Sequence, residues 1–97
     1  MKYIKQLNIN FNNWDEIKDE KGPIDYGHNE EFYKNLINKK VKLRIGSQYF
    51  IENTPSNPAD MDGVIIEFRG LDNNYCFRVQ WSNGESNSYR IKDLELI

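Results

Sequence analysis

The sequence predicts a mostly β fold of one domain: a small five-stranded barrel with an N-terminal strand or arm and one short amphipathic helix. Three observations lead there. Apolar residues recur with period two in several short runs of the second half, the pattern of half-buried strands. Asn83-Gly84 separates two such runs, and Asn-Gly is the strongest short-range hairpin signal, because both residues accept the positive φ of a type I′ turn. Ninety-seven residues suffice for one core that folds alone.

The elements follow in order. Leu7, Ile9 and Phe11 share one side of a first strand, with Gln6, Asn8 and Asn10 opposite, and Asn12-Asn13 breaks it. Trp14 then leads into a charged stretch ending at Gly22-Pro23. Residues 15–28 read as a loop or loosely attached arm, since they offer little apolar area to offset ordering entropy. A helix of about three turns comes next. His28 or Asn29 caps it, Glu30 and Glu31 occupy its first turn, and Lys39 and Lys40 close it, a charge order that complements the helix dipole. Its stripe of Phe32, Tyr33, Leu36 and Ile37 faces a core.

From residue 41 the pattern is β. Val41, Leu43 and Ile45 alternate with Lys42 and Arg44, and Gly46-Ser47 ends the strand. A long loop spans residues 48–62. Val64, Ile66 and Phe68 alternate with Ile65, Glu67 and Arg69, and a turn covers 70–74. Tyr75, Phe77, Val79 and Trp81 alternate with Cys76, Arg78 and Gln80. Beyond the Asn83-Gly84 turn, residues 87–90 return, a 3₁₀ turn covers 91–93, and residues 94–97 finish the sheet. This succession of five short strands, one long first loop and two tighter turns matches an SH3-like barrel. The expected inward set is Val41, Leu43, Ile45, Val64, Ile66, Phe68, Phe77, Val79, Leu94 and Leu96. Residues 1–40 form the strand, acidic arm and helix, packed on a barrel of residues 41–97 as a single folding unit.

Certain residues carry a family resemblance. Val79, Trp81, Asn83, Gly84, Asn87, Tyr89 and Arg90, followed by Asp93-Leu94, resemble the end of the mind bomb-type domain shared with HERC ubiquitin ligases. Leu43-Arg44-Ile45-Gly46 with Tyr49 is similar to that family's opening, and Gly63-Val64-Ile65 to its next strand. Ser82 stands where the family has Asp, and the loop before Asp-Leu shrinks to Ile91-Lys92. The resemblance covers residues 41–97 and implies an SH3-like barrel that recognises a peptide. The whole chain also resembles small proteins of T-even-type bacteriophages, through Ile9 to Glu16 and the closing hairpin. That second likeness implies an accessory protein acting on a host protein, in the host cytoplasm.

Composition excludes several function classes. The net charge of −2 steers the chain to neither nucleic acid nor an anionic membrane. A single cysteine forbids an internal disulfide and fits a reducing compartment. No apolar h-region opens the chain and no run reaches membrane length, so a cytoplasmic protein is expected, a monomer or weak dimer without membrane contact. Asn, Ile, Lys and Tyr are abundant while Arg and Ala are scarce, the signature of AT-rich codons.

The candidate chemistry is thin. His28, the only histidine, sits at a helix start, where capping explains it. Cys76 lies on the strand face opposite Phe77 and Val79, with no local His or cation to lower its pKa. Asp60-Met61-Asp62-Gly63 resembles a calcium-loop fragment, but Pro58 and Arg69 stand where carboxylates are required. No enzyme, no metal and no cofactor is expected. One binding alternative is RNA or DNA on a basic face of Lys39, Lys40, Lys42, Arg44, Arg69 and Arg78, which Glu67 interrupts. Another alternative is a small structural or oligomeric component, and the favoured reading is a protein partner. Tyr49 and Phe50 enter the long loop, Trp81, Tyr89 and Arg90 flank the hairpin, and large rigid aromatics beside an Arg have hot-spot chemistry. Trp81 is the more structural of the five.

Overall fold

The computed structural model describes residues 21–97; the N-terminal strand around Leu7, Ile9 and Phe11 and the Trp14 segment lie outside them. The described chain is mostly β, with six antiparallel strands in one sheet and two short helices. The strands are β1 (Gly22–Pro23), β2 (Lys40–Leu43), β3 (Gly63–Phe68), β4 (Phe77–Trp81), β5 (Ser86–Tyr89) and β6 (Leu94–Leu96). Helix α1 is Glu30–Lys34, helix α2 is Gln48–Glu52, and a 3₁₀ turn covers Ile91–Asp93. The sheet order is β1-β6-β2-β3-β4-β5. β2 to β5 form a meander and β6 returns beside β2, while the edges β1 and β5 do not pair with each other.

Alternation explains the strands that the sequence places well. Val41 and Leu43 on β2 stand opposite Leu96 and Leu94 on β6, and all four are buried. Phe77, Val79 and Trp81 alternate inward along β4, and Tyr89 joins them from β5. Lys40 and Lys42 take the other side of β2, as period two requires.

β3 corrects the expected inward set. Ile65 is buried, and Ile66 is exposed. The run Val64-Ile65-Ile66 carries no period of its own, so cross-strand fit decides which side faces in. Gly63 and Ile65 lie opposite Trp81 and Val79, and a register shift between Ile65 and Glu67 then adds a residue. That bulge returns Phe68 to the core side, where it packs at the cluster's margin. Ile45 is a second correction. It lies beyond β2 and is 71% exposed, because the backbone leaves the ladder after Arg44, whose N–H makes a last bond to the Asp93 carbonyl and whose carbonyl accepts from the Ser47 N–H in a turn.

The helix is shorter than expected. Asn29 caps α1 by accepting from the Phe32 N–H at 3.1 Å, and five residues later the chain passes into turns. Leu36, Ile37 and Lys39 donate three residues back, to Tyr33, Lys34 and Leu36. Asn38 adopts a left-handed φ of 76° and donates to the Ile65 carbonyl, swinging the backbone into β2. Tyr33 and Leu36 still reach the core, so the apolar stripe holds although the helix does not. Ile24, just after β1, joins the same cluster. Gly22–Pro23 itself pairs with β6, a strand where the sequence reads only a loop.

The Asn83-Gly84 hairpin differs in turn type. Gly84 has φ 92°, while Asn83 is absent from the left-handed residues. The Gly84 N–H donates to the Trp81 carbonyl and the Trp81 N–H to the Glu85 carbonyl. This is a three-residue loop with a type I turn and a glycine bulge, in place of the expected type I′ turn. The Asn83 carboxamide explains the choice, since its Oδ1 accepts from the Glu85 N–H and its Nδ2 donates to the Pro55 carbonyl.

Candidate functional site

The segment between β2 and β3 is organised by a buried carboxylate. Ser47 opens α2, with its Oγ accepting from the Tyr49 N–H at 3.2 Å and donating to Asp93 Oδ1 at 3.0 Å. The Arg90 backbone N–H and its Nε donate to Asp93 Oδ2 at 3.1 and 3.0 Å, and Nη2 lies 3.4 Å from Oδ1. Asp93 is 1% exposed, a burial tolerable only because both of its oxygens are satisfied and its charge is matched. The Asp93 hydrogen bond also holds the Arg90 pKa above its ordinary value.

This network places Arg90 between two rings. Its Cζ lies 5.8 Å from the Tyr49 centroid and 5.7 Å from that of Tyr75, within cation–π range of both. Tyr49 meets Tyr89 edge to face at 5.6 Å, and Tyr89 meets Trp81 likewise at 5.6 Å. A row of aromatics thus runs from the surface, where Tyr75 is 41% exposed, to Trp81 in the core. The neighbouring Tyr75 hydroxyl, and then burial, raise the Tyr49 pKa.

The inner end of the row locks the long loop to the hairpin. Trp81 Nε1 donates to the Tyr89 hydroxyl at 2.9 Å. That hydroxyl lies 2.7 Å from Asn57 Oδ1 and 2.9 Å from the Ser56 carbonyl, alternative acceptors for its one proton. Asn87 Nδ2 donates to the same Asn57 oxygen at 3.0 Å. Burial pushes the Tyr89 phenol up to about 12. The loop is therefore a built element, with α2 inside it and Thr54 bridging to Asn57.

Beside Arg90 opens a cleft of about 560 Å³. Tyr26-Gly27-His28 form one wall, Leu71, Asn73 and Asn74 another, and Arg90, Ile91 and Lys92 the floor and rim, with Cys76 beneath. Local contacts hold the walls. His28 stacks on Phe32 at 3.7 Å, Glu30 Oε2 accepts from the Leu71 N–H, and Asn73 Oδ1 accepts from the Tyr75 N–H. A second hollow, of about 600 Å³, lies on the sheet's outer face between Lys40, Val64, Ile66 and Gln80.

The sequence-selected residues divide. Tyr49, Phe50 and Arg90 are half-buried; Tyr49 meets Arg90 beside the cleft, and Phe50 packs against the core cluster. Trp81 and Tyr89 are fully buried, so they support the site from below and offer no area to a partner. The cations are scattered among acids. Lys42 stands opposite Glu95, and Arg78 stands opposite Glu67 while donating to Ser86 and Ser88. Arg69 pairs with Glu67 at 3.7 Å, and Arg44 Nη1 donates to the Lys92 carbonyl at 3.4 Å. Lys39 and Lys40 flank the start of β2.

Sequence reasoning gave no site role to Tyr75, Tyr26 or Leu71, the last two from segments with no periodicity. It read Tyr75 as the start of the alternating strand, whereas Tyr75 lies in the turn before β4. It also put Cys76 on the outer strand face, whereas Cys76 precedes β4 and is buried. Cys76 and His28 border the same cleft, but burial raises the thiol pKa, the reverse of what an activated thiolate needs. Among the described residues no three His, Cys, Asp or Glu converge as metal ligands, and no helix is long and apolar enough to cross a membrane. Comparison with protein-family models, curated proteins and solved structures found no match.

Proposed function

We propose that this chain is a small non-enzymatic protein-binding module that docks through the Tyr49–Arg90–Tyr75 end and the cleft beside it. The observation that carries the reading is one arginine, anchored by a buried carboxylate, held between two partly exposed tyrosines at 5.8 and 5.7 Å. Rigid aromatics and Arg at the mouth of a cleft concentrate binding energy, because they lose little side-chain entropy on contact.

The architecture we propose is an SH3-like barrel. Support comes from the meander β2-β3-β4-β5 with the last strand returned beside the first, and from the 3₁₀ turn immediately before it. The mind bomb/HERC likeness of residues 41–97 and the phage likeness of the whole chain enter here as proposals too. Together they make the module a bacteriophage accessory protein acting on a host protein in the host cytoplasm. A nucleic-acid role draws less support, since Glu95 and Glu67 stand opposite Lys42 and Arg78.

Pull-down from bacterial lysate tests the site. The wild-type chain is expected to capture proteins that a folded Tyr49→Ala/Tyr75→Ala chain does not. Equal capture by both would place the working surface elsewhere.

A further inference from the structure

The chemistry of the cleft narrows the partner. Its walls and rim contain Arg90, Lys92 and His28 and no Asp or Glu, on a chain whose net charge is −2. The nearby acids Glu30 and Asp72 line a separate hollow around Gly70. Asp93 offsets Arg90's charge, but its bonds use only Nε and Nη2. The Nη1 donors remain, alongside the Lys92 ammonium, which has no ion-pair partner among the described residues. Next to these donors sit two exposed apolar groups, Tyr26 at 62% and Leu71 at 45%. Donors for an anion therefore adjoin a surface for an apolar side chain.

We propose that the cleft seats an acidic peptide segment of a protein partner, with a carboxylate side chain on Arg90 and Lys92 and an adjacent apolar side chain between Tyr26 and Leu71. This rests on the protein-binding reading above and gives it a ligand class. Charge complementarity commits it: an acidic segment gains the unpaired Lys92 ammonium and the remaining Arg90 donors, while a basic one meets that ammonium and finds no carboxylate among the residues lining the cleft.

The experiment selects binders of the biotinylated full-length chain from a random-peptide display library and titrates the enriched peptides by fluorescence anisotropy. Enriched sequences are expected to carry Asp or Glu next to Leu, Ile, Phe or Trp. Lys92→Glu, an exposed change that leaves the fold intact, is expected to raise Kd roughly threefold to tenfold, and peptides with those acids changed to Lys should bind the K92E chain better than wild type. Enrichment of basic or uncharged peptides, or acidic peptides indifferent to Lys92→Glu, overturns the ligand class. The protein-binding reading survives that result if Tyr75→Ala still abolishes binding. If nothing is enriched, or if a polyuridine oligonucleotide binds where peptides do not, both the ligand class and the reading fall.

Discussion

Asp93 shows how one residue sets the geometry of a surface. Its carboxylate is buried, and its four hydrogen bonds join Ser47, the start of α2, to Arg90, the start of the 3₁₀ turn. Asp93→Asn would leave the Arg90 charge uncompensated and an amide facing N–H donors. Removing one partner of such a pair costs about 2–4 kcal/mol, so urea unfolding should show that loss. Tyr89 makes the complementary point about burial. Its folded pKa is about 12 against an ordinary phenol value of about 10. Below pH 10 both folded and unfolded phenols are protonated and its contribution is complete. Between about pH 10 and 12 only the unfolded phenol ionises, so stability is lost as pH rises. Thermal unfolding across that window should decline in the wild type and less steeply in Tyr89→Phe.

Among the elements, β2, β4 and β6 were legible because each alternates strictly and each packs one face. β3 was not, since three consecutive apolar residues conceal which parity faces inward until Trp81 is opposite. Gly63 settles it. A Cβ there would lie 2.5 Å from Trp81 Cε3 and 2.7 Å from Val79 Cγ1, so the indole needs a glycine beside it. Gly63→Ala is expected to cost about 1–3 kcal/mol through overpacking, visible as a lower denaturant midpoint with unchanged slope. The length of α1 was misjudged for a different reason. Successive turns kept Tyr33 and Leu36 on one side just as a helix would, so the apolar stripe could not report where α-helical bonding stops. α2 was hidden because five residues are too few to display a period.

At the scale of the whole molecule, the elements converge on one end. The long loop crosses to the hairpin through Asn57, Ser56 and Tyr89, and the turn after β3 brings Tyr75 beside Arg90. Tyr49, Phe50 and Arg90 were legible as candidates by composition alone, being aromatic or cationic near a predicted loop or hairpin. Tyr75, Tyr26 and the cleft were not, because they exist only once the 26–28, 71–76 and 90–92 segments meet. The most direct test is amide chemical-shift mapping. An isotopically labelled full-length chain is titrated with a display-selected peptide, whatever its charge. The account predicts shifts concentrated at residues 26–28, 49–50, 71–76 and 90–92. Shifts confined to the outer sheet face around Lys40, Val64, Ile66 and Gln80 would contradict it.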